Sequence, residues 1–275
     1  MSLELGIIGL GRMAQAILLP LLDSGKFVPE QIFSVVGHKK SIDKLMDQLP
    51  KGLNLVSSDD PECQNVWSTP VKLLAIKPQQ LNEVKENFLK QLSSNESQKP
   101  LLISVLAGVT LNRLQKSFPG HACVRAVPNT PVLVKAGLTG LSWGDGVNSE
   151  QRKVVREIFN PISQVLELPE SQLDAFLALT SSGPAYVALI AEALADGAVA
   201  AGLSRELAHY LTHETLAGSA LLLKEKNLHP GELKDMVTSP AGTTITALRC
   251  LEMAGVRSAL IEAVVAAAER SRELA

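Results

Sequence analysis

Apolar residues recur along this chain with a strand-like period in some stretches and a helical period in others, and their order predicts the architecture. In the first half, short β-rich runs alternate with helical patterns. Residues 3–10 read as a strand, followed by a glycine-rich turn and a helix near 13–24. Residues 32–36 predict a second strand, 41–49 a second helix and 54–56 a short third strand. The largely apolar run 71–76 (VKLLAI) fits a strand covered on both faces. A helix over 79–92, a buried strand over 101–106 and a helix over 110–118, with Thr110 suited to cap it, continue the alternation. Strand then helix, repeated, predicts βαβ units and a mostly parallel sheet. Residues 95–100 (NESQKP) read as a polar loop.

Further along, 122–127 and 138–143 predict strands on the far side of the sheet, 149–159 a helix and 162–168 a last strand. After Pro169 nothing reads as β. Residues 171–180, 184–201, 204–226, 230–237, 243–254 and 256–274 are helical by pattern. The change of period places a boundary near residue 168. The expected organisation is an α/β dinucleotide-binding domain over 1–168 and an all-α domain over 169–275.

Composition narrows the class. An apolar fraction of 46% with 20% charged residues suits a globular chain with a real core, and 4% aromatics favours packed helices over a base-stacking surface. The net charge is −2, and no Lys/Arg stripe follows the chain, so nucleic acid is not an expected partner. The start carries no basic segment of the secretory kind. Cys63, Cys123 and Cys250 lie far apart, which suits a reducing cytoplasm and three small buried apolar side chains. Residues 184–203 are the most lipid-like stretch. Glu192 and Asp196 interrupt it, so a buried helix is expected rather than a membrane span.

The chemistry begins at Gly9-Leu10-Gly11-Arg12-Met13-Ala14, which follows a strand and opens a helix. The first glycine permits the tight turn and the second lets backbone approach a pyrophosphate. Ala14 lets helix and strand pack closely, and the helix N-terminus favours the phosphates. The second strand then runs into Gly37-His38-Lys39-Lys40 with no acid for a ribose 2′-OH. His38 and Lys39 suit a 2′-phosphate, which makes NADPH the expected cofactor and NADH the alternative. In the second half, Ser239-Pro240-Ala241-Gly242-Thr243-Thr244 is a loop ending in a helix, with hydroxyls crowding its start. Unpaired N–H groups there suit a carboxylate, although a well-capped helix reads the same way.

Several segments, in order, resemble the pyrroline-5-carboxylate reductase family: the glycine turn above, Ala75-Ile76-Lys77-Pro78-Gln79, Ser104-Val105-Leu106-Ala107-Gly108-Val109-Thr110, Arg125-Ala126-Val127-Pro128-Asn129-Thr130-Pro131, Thr180-Ser181-Ser182-Gly183-Pro184-Ala185-Tyr186 and Val237-Thr238-Ser239-Pro240-Ala241-Gly242-Thr243-Thr244. Departures from the family pattern are Arg12 for Asn or Lys, Val127 for Met, and Ala241 for the first glycine of a pair. The resemblance implies a Rossmann-type domain followed by a helical dimerisation domain, and NADPH-dependent reduction of 1-pyrroline-5-carboxylate to L-proline. It implies that Ser239 and the N–H groups of Gly242, Thr243 and Thr244 bind the substrate carboxylate, with the Thr244 hydroxyl near the imine nitrogen as the catalytic group. It further implies cofactor contacts from Gly9, Gly11, Arg12, Met13, Ala14, His38, Lys39, Ile76, Lys77, Pro78, Ala107, Gly108 and Asn129, and dimers that assemble into a decamer.

Other constellations carry less. His209 and His213 stand one helical turn apart, but no third metal ligand is evident. Ser182-Gly183 lacks the flanking strand of a nucleophile turn. Two alternatives remain. One is another two-domain NADP-dependent reductase, of the hydroxyacid-dehydrogenase or F420-dependent type; against the former, residues 171–201 hold no lysine. The other is a non-catalytic NADP(H) sensor, which has no reason to keep Ser239 and Thr244 together.

Overall fold

The computed structural model describes residues 3–89 and 99–274; the predicted helix end at 90–92 and residues 95–98 of the polar loop lie outside the described residues. In chain order, β1 (Leu5–Ile8) leads to α1 (Arg12–Asp23), β2 (Ile32–Val36) to α2 (Lys39–Met46), and β3 (Asn54–Ser57) to the short α3 (Asn65–Ser68). Then β4 (Val71–Leu74) leads to α4 (Leu81–Leu89) and β5 (Leu101–Ser104) to α5 (Leu111–Ser117). After these come β6 (Ala122–Pro128), β7 (Gly137–Trp143), α6 (Ser149–Phe159), β8 (Ser163–Glu167) and α7 (Leu173–Thr180).

The strands form one sheet in the order β3-β2-β1-β4-β5-β6-β7-β8. All neighbours are parallel except β6 and β7, which meet antiparallel. Successive residues face opposite sides, so both faces must be covered. Leu73 and Ile103 enter a core with Ile17, Leu18 and Leu21 of α1. Their neighbours Leu74 and Leu102 enter a second core with Phe88 and Phe118. Order reverses at β1 and β4, whose carboxyl ends open the crevice where such sheets bind dinucleotides. The Thr110 cap is present: its hydroxyl accepts from Arg113 N at 3.3 Å.

Packing divides the chain into two units, residues 1–181 with 268–275, and residues 182–267. In the first unit α7 stays with the sheet because Gly140 of β7 leaves room for it. A Cβ at Gly140 would lie 2.9 Å from the Phe176 ring.

The second unit comprises α8 (Gly183–Ala200), α9 (Arg205–Lys226), α10 (Pro230–Met236), α11 (Thr243–Met253) and α12 (Val256–Glu273) up to residue 267. α8 and α9 pack around Ala195 and Ala208, both without exposed surface, after a turn at Gly202 (φ 109°). The expectation of a buried helix over 184–203 is not met within one chain. By length and apolarity the helical stretch 170–200 is sufficient to cross a membrane, yet Val187 is 53% and Leu189 68% exposed. The reason is architectural, since the described helices of this unit provide no second layer over that face. The cysteines also depart from expectation: Cys123 is buried, Cys63 half-buried and Cys250 exposed.

Candidate functional site

In the first unit a cleft of about 290 Å³ lies at the carboxyl ends of β1, β2 and β4, bordered by Gly9, Gly11, Gly37, Ser41, Ser58, Ile76 and Lys77. Gly9 turns the chain with φ 88°, and a Cβ there would sit 2.7 Å from Ile76 Cγ2 and 2.8 Å from the Ala75 carbonyl. Only glycine satisfies both demands. Gly11 precedes α1 with extended backbone, and a Cβ there would meet nothing within 4 Å. Backbone is thus bare toward open space where the N–H groups of α1 begin, which fits a pyrophosphate. Arg12 is exposed at that helix start, Met13 is half-buried and Ala14 is fully buried, as close helix–strand packing requires.

The basic cluster lies in helix rather than loop. His38 flanks the N-terminus of α2, and Lys39 and Lys40 are its first two residues, all exposed. An early start for α2 adds a helix N-terminus to the two ammonium groups, and both favour an anion at this edge of the cleft. Ser58 donates to the Gly37 carbonyl at 3.1 Å and fixes the turn before His38. Sequence reasoning missed Ser41 and Ser58. The serine-rich end of the third strand was the available signal, but only the sheet shows which strand end reaches the cleft.

The remaining predicted cofactor residues divide. Ile76, Lys77 and Pro78 form the turn after β4 beside Gly9, with Lys77 exposed. Ala107 is half-buried in the turn after β5, while Gly108 (φ 70°) is buried. What lies against Gly108 is the chain terminus: a Cβ there would be 2.8 Å from the Leu274 Cβ and carbonyl carbon. The glycine is needed for that approach. Asn129 is 5% exposed and its amide is fully engaged, donating to the Thr180 carbonyl at 3.0 Å and accepting from Leu138 N at 2.8 Å. It braces the loop after β6 with its side chain.

In the second unit, Ser239 to Gly242 form a turn closed by Gly242 N donating to the Ser239 carbonyl at 3.0 Å. Pro240 at the second position and Ala241 at φ 58° in the third give the turn its type II shape. Gly242 then flanks α11, and the Ser239 hydroxyl lies 2.4 Å from where a Gly242 Cβ would be. Ser239 therefore hangs over the amino end of the helix because Gly242 has no side chain. No side chain caps α11. Its first N–H groups, at Thr243 and Thr244, have no intrahelical acceptor and meet the positive dipole end. The expectation that the Gly242 N–H faces a ligand is not met, because it closes the turn. Thr243 is exposed and Thr244 half-buried. Hydroxyls and amides at a helix start can hold a carboxylate and donate to a neighbouring nitrogen.

Among the described residues no group of three or more His, Cys, Asp or Glu is placed to hold a metal. His209 and His213 are neighbours with ring centroids 6.2 Å apart. Asp196 pairs with Arg205 on the next helix, and Glu192 is exposed.

Residues 170–274 match the family model described as pyrroline-5-carboxylate reductase dimerisation, and residues 4–108 match NADP oxidoreductase coenzyme F420-dependent. A pyrroline-5-carboxylate reductase of Synechocystis is 47% identical, covering 100% of this chain and 99% of its own. One from Arabidopsis thaliana is 38% identical over 99% and 96%. Among solved structures, the Plasmodium falciparum pyrroline carboxylate reductase with NADP bound has a TM-score of 0.87 at 31% identity, covering 99% of this chain and 98% of its own. A Coxiella burnetii pyrroline-5-carboxylate reductase reaches 0.83 at 34%, covering 100% and 99%.

Proposed function

The chain belongs to the pyrroline-5-carboxylate reductase family, and from that premise we propose that it reduces the C=N bond of 1-pyrroline-5-carboxylate to give L-proline. The observation that carries this reading is the pairing, in one chain, of the glycine-turn cleft at Gly9–Gly11 with an uncapped helix start overhung by Ser239. NADPH, when bound, supplies the hydride. Gly9, Gly11, Arg12 and Met13 hold its pyrophosphate around the start of α1, which the buried Ala14 lets pack close to the strand, and His38 and Lys39 meet the 2′-phosphate. Ile76, Lys77, Pro78, Ala107 and the loop braced by Asn129 border the nicotinamide half.

The substrate carboxylate sits at the start of α11, held by Ser239 and the Thr243 and Thr244 N–H groups. The Thr244 hydroxyl lies at the imine nitrogen: its oxygen accepts from the N–H of the protonated imine, or it donates to the neutral nitrogen and relays a proton taken up from solvent. A protonated imine is already electrophilic, so orientation is the main task, and orientation alone supplies about 7–11 kcal/mol. A threonine then suffices where a carbonyl would demand a stronger acid. The exposed apolar face of the second unit supports a homodimer through this domain, and dimers assembled into a decamer complete the reading. Dispersed cysteines without a disulfide among the described residues support a cytoplasmic location.

The test is NADPH oxidation with synthetic 1-pyrroline-5-carboxylate. We expect turnover with NADPH above NADH, and about a 100-fold lower kcat in Thr244→Ala, the scale of a lost proton donor. Wild-type-like turnover in Thr244→Ala would remove that residue's role, and no turnover in the unmodified enzyme would remove the reading.

A further inference from the structure

The most deeply buried guanidinium in the first unit is unassigned by this mechanism. Arg125 projects from β6 with its side chain 2% exposed, between Glu170 and Asp174 at 3.3 Å each. Its strand register sets it beside Ser104, the last residue of β5, where the Val105–Thr110 loop departs. Neither carboxylate is held by Arg125 alone. Glu170 Oε1 accepts from Leu111 N, the first residue of α5, at 2.7 Å. Asp174 Oδ1 accepts from the Ser271 hydroxyl at 2.7 Å, in the last turn of α12. One turn's length beyond, Leu274 lies against Gly108. The terminus and the α5 N-terminus therefore grip the two ends of one turn, and both grips converge on a single cation.

A cation this buried is tolerated only when paired, and two carboxylates this close repel without it. Lysine has no planar fork to reach both. We propose that Arg125, Glu170, Asp174 and Ser271 are positioning residues that seat the C-terminal turn, residues 271–274, on Gly108 and thereby set the shape of the Ala107–Thr110 turn for the nicotinamide half of the cofactor. This rests on the cofactor reading above. In a sheet of this order the β1–β3 half takes the adenosine and the β4–β6 half the nicotinamide, so the network belongs to one half alone.

That asymmetry supplies the experiment. Titrate the full enzyme, a chain ending at Arg270, and Ser271→Ala with NADPH and with adenosine 2′,5′-bisphosphate, following binding by calorimetry. We expect Kd for NADPH to rise about tenfold in the shortened chain and in the same direction, by less, in Ser271→Ala, with Kd for the bisphosphate unchanged; tenfold corresponds to about 1.4 kcal/mol. Wild-type NADPH affinity in both variants overturns the proposal, and so does a parallel loss of both ligands, which marks general loosening. Should the shortened chain fail to fold, Ser271→Ala decides, since it removes one oxygen. An unmodified enzyme that binds neither ligand overturns the cofactor reading and this inference with it. One that binds both while the variants match it overturns the inference alone.

Discussion

Ala241 is a residue whose local geometry and side chain disagree. It occupies the third position of the type II turn before α11 at φ 58°, where a Cβ crowds the following carbonyl and costs roughly 1–2 kcal/mol. Ala241→Gly should therefore stabilise the protein by about 1 kcal/mol, since the strain relieved outweighs the added freedom of the unfolded chain. Urea unfolding of the two proteins checks this, and a lower midpoint in the glycine variant contradicts it. His121 raises the opposite question, a polar ring in an apolar cage. Trp67, Phe88 and Phe118 surround it, with centroids at 6.4, 5.1 and 6.5 Å. Burial, then the Lys72 ammonium, lowers its pKa from 6.5 to about 4; the Pro119 carbonyl pulls the other way without meeting good hydrogen-bond geometry. The folded state thus favours the neutral ring, and the unfolded chain takes the proton first. Stability from this group is whole above the unfolded pKa and declines as pH falls from 6.5 toward 4. About 2 kcal/mol should be lost between pH 7 and pH 5 through His121. His121→Phe should shrink the wild-type drop in unfolding free energy by about that amount, and an undiminished drop would assign the acid sensitivity elsewhere.

Elements explain what the sequence disclosed and what it withheld. Strand β2 and helix α6 fall on their predicted residues because a strong apolar run bounds the one and a clear Asn148 cap the other. The helix after β2 starts two residues earlier than its apolar pattern, at Lys39, because exposed lysines at a first turn leave no periodic mark. Gly9 and the α11 start were legible from turn chemistry alone. The engagement of Asn129 and the burial of Gly108 were not, since they depend on partners that only the fold brings near: Leu138 on the neighbouring strand, and Thr180 and Leu274 far along the chain. Lys72 sits inside the apolar run 71–76 and is fully buried, its ammonium donating to the Thr69 carbonyl at 2.5 Å. The early α2 start bears on cofactor choice, because it sets His38, Lys39 and Lys40 around one helix N-terminus. Lys39→Glu should weaken NADPH by more than tenfold, from one lost charge-assisted contact of about 1.5–3 kcal/mol, and should leave NADH nearly unchanged. Comparing kcat/KM for the two cofactors measures this; an equal loss for both would move the 2′-phosphate away from α2.

At the scale of the molecule, the two units are completed differently. The sheet unit covers both of its faces with its own helices, leaving few large apolar side chains in water. The helical unit does not: Val187, Leu189, Tyr210, Leu221, Met253 and Ile261 are each more than half exposed. Large apolar side chains left bare in such number mark an interaction surface, and a symmetric interface covers them with the same surface of a second copy. Residues 170–274 match a dimerisation family, so oligomerisation follows from similarity as well as from the uncovered face. A monomeric variant separates this from a membrane role for the same apolar helix. Leu189→Glu places a carboxylate at a side chain 68% exposed in the single chain, where it costs little unless a partner covers it. Light scattering coupled to gel filtration should then show the wild type as at least a dimer and the variant shifted toward monomer, with a melting temperature that no longer rises with protein concentration. An unshifted mass in Leu189→Glu would place the interface elsewhere on the helical unit. A wild type that is monomeric without detergent would leave its apolar face without the protein partner that its exposure demands.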